Sequence, residues 1–67
     1  MKELDLHGVR TAEAEYLVEQ FIYDNRDNLP VKIITGNSHS MRKAVKDCAL
    51  HLEYHVHEPR YSELIIY

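Results

Sequence analysis

Leu4-Asp5-Leu6-His7-Gly8 and Ile33-Ile34-Thr35-Gly36-Asn37-Ser38-His39-Ser40 decide the fold of this 67-residue chain. Each is a short apolar run that ends in a polar, glycine-containing turn just ahead of a helical pattern. If both runs are strands of one parallel sheet, both turns lie at the same carboxyl edge. Open α/β sheets bind their ligands at that edge. An Asp, two His, two Gly, a Thr and two Ser would then face one shallow cleft.

The elements read outward from these two turns. Leu4 and Leu6 alternate with Asp5 and His7, as in a half-buried strand. Gly8-Val9-Arg10 is the turn, and Thr11 is the expected N-cap of a helix with Glu13 and Glu15 in its first turn. Ala14, Leu17, Val18, Phe21 and Ile22 recur at helical spacing, which predicts one apolar stripe from Ala12 to about Asn28. Asn28-Leu29-Pro30 ends that helix, because the residue before proline avoids the helical region. Val31 to Thr35 reads as a central strand. A second helix is expected from about Ser40 to Tyr54, with Met41, Ala44, Val45, Cys48 and Leu52 on its apolar face. His55-Val56-His57 is a short strand, Glu58-Pro59-Arg60 a turn, and Tyr61 to Tyr67 the last strand. The order β-α-β-α-β-β predicts an α/β (α+β) two-layer sandwich. A four-stranded mixed sheet would carry both helices on one face, with right-handed crossovers.

Bulk properties narrow the function classes. The net charge is −3 and the pI about 5.9. Phosphate neutralisation supplies most of a nucleic-acid binder's affinity, so this balance argues against tight non-specific binding. The charge is uneven, however: acids crowd residues 3–27, and Arg42, Lys43 and Lys46 form a basic cluster. A single cysteine, Cys48, excludes an internal disulfide and reads as a small core residue. No leader segment and no apolar run of about 18 residues is visible, so the expectation is one domain, 1–67, soluble and cytoplasmic, with no membrane contact.

The paired motifs resemble those of the Smr (small MutS-related) domain. That family carries Leu-Asp-Leu-His-Gly near its start. It then has an apolar strand ending in Thr-Gly-x-Gly, often followed by His-Ser and a second helix. The first motif is complete at residues 4–8, and the second stands as Ile34 to Ser40. Ser38 replaces the second glycine, the loop before the second helix is short, and Glu58-Pro59-Arg60 replaces a glycine-rich turn before the last strand. The resemblance implies a fold similar to the C-terminal domain of bacterial translation initiation factor 3. It also implies binding of DNA or RNA and, as in several family members, endonuclease activity. It implies functional roles for Asp5 and His7, with Thr35, Gly36 and His39 as a second cluster.

The residues suit such chemistry. Phosphodiester cleavage needs proton transfer and stabilised phosphoryl oxygens, and histidine titrates near neutrality. His7 is the candidate acid/base and His39 the second proton carrier. Asp5 would orient the His7 ring, hold a metal-bound water, or simply accept turn amides. Gly8, Arg10, Thr35, Gly36, Asn37, Ser38, Ser40, Arg42 and Lys43 are the candidate phosphate contacts, centred on the amides that open the second helix. Each has a plainer reading: the glycines as turn formers, Thr35 as a branched strand residue, Ser40 as a helix cap, the basic cluster as a solvated face. A divalent ion such as Mg or Mn is the only cofactor in view, without a complete ligand set. His51 and His55, four apart, have metal-ligand spacing if the helix reaches both. Tyr54, Tyr61 and Tyr67 either stack on bases or rim the sheet. Two rival functions remain: a nucleic-acid-binding module without catalysis, and a protein-interaction adaptor or homodimer joined through the acidic first helix or a strand edge.

Overall fold

A computed structural model describes all residues, 1–67. The chain runs β1 (Glu3–Asp5), α1 (Thr11–Asp24), β2 (Val31–Ile34), α2 (His39–His51), β3 (Val56–Arg60) and β4 (Glu63–Ile66). The four strands form one mixed sheet in the order β1-β2-β4-β3. β1 is parallel to β2, whereas β4 is antiparallel to both β2 and β3. β1, β2 and β3 therefore point the same way, and their carboxyl ends share one edge.

The period-two pattern is visible in burial. Val31 and Ile33 of β2, Leu64 and Ile66 of β4, and Leu6 just past β1 face the helices and are buried. Ala14, Val18 and Ile22 of α1 and Met41, Val45, Cys48 and Ala49 of α2 meet them in one core. The opposite sheet face is open. There Lys32 lies between Glu3 (3.9 Å) and Glu63 (3.7 Å). Leu52, expected on the apolar face of α2, instead lies past the helix end and is exposed.

The helix ends differ from the expectations. Arg10, not Thr11, occupies the N-cap of α1 and makes no capping bond through its side chain. That helix stops at Asp24 rather than Asn28, because Asn25 folds back. Its backbone N–H and its Nδ2 both donate to the Phe21 carbonyl, and these bonds close the helix. Ser38, not Ser40, caps α2, its Oγ accepting from the Met41 amide at 3.2 Å. α2 ends at His51 in a Schellman turn: the Glu53 amide donates to Leu50 and the Tyr54 amide to Ala49. Glu53 takes the left-handed conformation there, at φ 68°. A side chain costs about 1–2 kcal/mol in that region, part of which glycine gives back as unfolded-state entropy. Glu53→Gly is therefore expected to stabilise the fold by about 0.5–1 kcal/mol in urea denaturation.

Glu58-Pro59-Arg60 is strand, not turn. β3 is an edge strand, and its register shifts between His57 and Arg60. A proline without an N–H is accommodated at such an irregular edge. The turn is Tyr61-Ser62, between the paired Arg60 and Glu63. Both sheet edges resist pairing with another chain: β1 is three residues long with exposed Glu3 and Asp5, and β3 carries the shift and Pro59.

Candidate nucleic-acid interface

The carboxyl edge gathers three segments. The first motif leaves β1 through a turn in which the Val9 amide donates to the Leu6 carbonyl at 3.0 Å. Gly8, third in that turn, has φ 82°, as a type II turn requires. The second motif leaves β2 through Gly36, at φ 69°. A Cβ on Gly36 would stand 3.7 Å from Nδ1 of His7. The two motifs, 29 positions apart, thus close on each other through the His7 ring and the Gly36 backbone.

Asp5 does not hold that ring. Its Oδ1 accepts from the backbone N–H of His7 at 2.8 Å, which fixes the turn and leaves the imidazole in solvent. This separates two roles by mutation. Asp5→Asn keeps an acceptor oxygen and should preserve stability and activity, whereas Asp5→Ala should cost about 1 kcal/mol. Thermal melts together with cleavage rates check it. If Asp5→Asn were inactive yet stable, the carboxylate charge itself would be required.

Thr35 is buried, and its hydroxyl is turned into the fold. Its Oγ1 lies 3.1 Å from the Gly36 carbonyl and 3.3 Å from the Ser62 carbonyl, and its amide donates to Ser62 at 2.9 Å. Expected as a phosphate contact, it is instead a clamp that ties the second motif to the β3–β4 turn. Asn37, Ser38, His39 and Ser40 are exposed beyond it. The Ser38 hydroxyl is occupied by the Met41 amide and lies 3.2 Å from Ser40 Oγ, which leaves the amides of His39 and Ser40 without an acceptor. His39 is in the first turn of α2 and makes no side-chain hydrogen bond to His7 or Asp5.

The basic cluster is paired with acids. Arg42 and Lys46 both bond Glu58 of β3, Lys46 at 3.1 Å, and Lys43 bonds Asp47 at 2.7 Å. The Asp47 hydrogen bond and charge raise the pKa of Lys43. The Arg42 guanidinium also lies over the Tyr61 ring, 4.1 Å from its centroid. Arg10 and Arg60, by contrast, enter no ion pair and are exposed at the carboxyl edge. Arg60 is not among the residues the sequence pattern marks, because Glu58-Pro59-Arg60 has the composition of a turn remote from the site.

No group of three or more His, Cys, Asp or Glu is placed to hold a metal ion. At this edge one oxygen of Asp5 is already committed to the His7 amide. The second oxygen of Asp5 is free, but the protein alone offers no complete ligand set for magnesium or manganese there. The His51/His55 spacing does not survive either: α2 ends at His51, and His55 stacks on Tyr67 with ring centroids 5.3 Å apart. Cys48 is a core residue as expected. Burial first, then Glu19 and Glu15, push its thiol up to about 11, so it is a poor nucleophile at neutral pH.

A family model described as Smr domain matches residues 4–63. No curated protein and no solved structure matches the chain. The matched span begins with the first motif and ends at the start of β4, so it contains the whole carboxyl edge. No helix is long and apolar enough to cross a membrane.

Proposed function

The chain belongs to the Smr domain family, and from that premise we propose that it binds nucleic acid at the carboxyl edge and hydrolyses phosphodiester bonds there. The observation that carries this reading is the approach of His7 to Gly36, beside the unpaired amides of His39 and Ser40. Those amides suit phosphoryl oxygens. Arg10 and Arg60 supply the nearby positive charge, with Gly8 and Gly36 setting the turns and Asn37 and Ser40 offering further polar contacts.

In the hydrolytic step a water oxygen attacks phosphorus and the bond to the leaving sugar oxygen breaks. His7 is the acid/base, taking a proton from water or giving one to the leaving oxygen. His39 is the partner that completes the transfer, and Asp5 positions His7 through its amide. A binding module without cleavage is the second reading. It is favoured by the Asp5 hydrogen bond going to the His7 amide rather than to the ring that would do the chemistry.

A phosphate grip of two or three cations on an acidic protein predicts weak binding. The slope of log affinity against log salt should fall between about −1.4 and −2.7. Anisotropy of a labelled oligonucleotide at several salt concentrations measures it. A flat line would remove phosphate recognition and the proposal with it.

A further inference from the structure

We infer that Tyr61 is a stacking platform for an unpaired nucleobase, so that the carboxyl edge selects single-stranded over duplex nucleic acid. This rests on the phosphate-binding reading above and names its substrate class.

Tyr61 opens the two-residue turn between β3 and β4, at the same edge as both motifs. The turn is tied to the second motif, because Ser62 takes both the amide and the hydroxyl of Thr35. The tyrosine is 52% exposed although the Arg42 guanidinium lies over its ring, 4.1 Å from the centroid. The guanidinium covers one ring face only, and the residue keeps half its surface in solvent for a base to approach. The guanidinium is fixed in turn, since Glu58 bonds both Arg42 and Lys46. The ring is thus held from behind by a cation–π contact, and a base can stack in front without first ordering a mobile side chain.

Position distinguishes this ring from its counterpart. Tyr23 carries Arg26 at 4.2 Å in the same arrangement and is 61% exposed. It lies at the C-terminal end of α1, which runs away from the carboxyl edge. Stacking on an aromatic ring contributes about 1–3 kcal/mol per base and requires a base out of its duplex stack. Only Tyr61 combines an open, immobilised ring with phosphate contacts close by.

The test uses an oligonucleotide carrying 2-aminopurine, whose fluorescence falls on stacking, with a matched duplex and a matched abasic strand. The full chain should quench the probe and bind the single strand about tenfold more tightly than the abasic strand, and more tightly than the duplex. Tyr61→Ala should lose the quenching and about tenfold in affinity. Tyr61→Phe and Tyr23→Ala should keep both. Equal binding of base-bearing and abasic strands by the unmutated chain, with normal salt sensitivity, would overturn the platform and leave phosphate binding standing. Failure of every oligonucleotide to bind would instead overturn the phosphate reading, and the platform with it.

Discussion

Replacing His7 with alanine should lower phosphodiester cleavage by at least about 100-fold, the ordinary contribution of a positioned acid/base, and leave the melting temperature unchanged. The two halves of this expectation have separate causes. The His7 ring makes no hydrogen bond inside the fold and is exposed. The bond that holds its turn comes from the backbone N–H to Asp5, and alanine keeps that N–H. A rate loss therefore cannot be assigned to unfolding. Cleavage of labelled RNA and of supercoiled and branched DNA, compared with circular dichroism melts of the same preparations, measures both. Unchanged cleavage by a clean His7→Ala preparation would sink the nuclease reading and leave the binding module. Loss of binding as well as cleavage would mean that the ring grips the phosphate rather than moving a proton.

The fold is legible in the sequence because period-two and period-3.6 patterns do not compete along it. Val31 and Ile33 alternate with Lys32 and Ile34, and Ala14, Val18 and Ile22 line one side of α1, as expected. Helix ends are less legible, because capping is a choice among near neighbours. Ser38 and Ser40 are chemically equivalent caps, and the structure uses Ser38. β3 resembles a turn because proline marks turns in most contexts, and only sheet order reveals that this strand is an edge. At the site, the two motifs predict that both turns share one edge, and there His7 and Gly36 approach each other. The ion pairs are invisible for a different reason: Glu58 lies 12 and 16 positions from Lys46 and Arg42, beyond any local pattern. The clamp from Thr35 to Ser62, 27 positions apart, is hidden in the same way.

Glu58→Gln should destabilise the fold by about 1–3 kcal/mol and yet tighten nucleic-acid binding. The carboxylate accepts from Arg42 through one oxygen and from Lys46 through the other. Arg42 is the more buried partner, with a side chain only 14% exposed and an Nε that already lacks an acceptor. Removing the charge of Glu58 leaves a largely desolvated guanidinium facing an amide, which costs more than breaking an exposed pair. Binding moves the other way. A carboxylate that repelled phosphate is gone, and two cations in α2 lose the acid that neutralised them. Phosphates reaching either cation should steepen the salt slope by roughly 0.7–0.9 for each additional phosphate neutralised. Urea denaturation and salt-titrated anisotropy of an abasic strand, which cannot use the Tyr61 ring, separate the two effects on the same variant. A less stable variant that binds no more tightly would confine Arg42 and Lys46 to holding β3 against α2. A variant as stable as the parent would show that this half-buried pair contributes no net stability. Weakening of the fold together with stronger, more salt-sensitive binding would mark Glu58 as the residue that sacrifices phosphate affinity for folding.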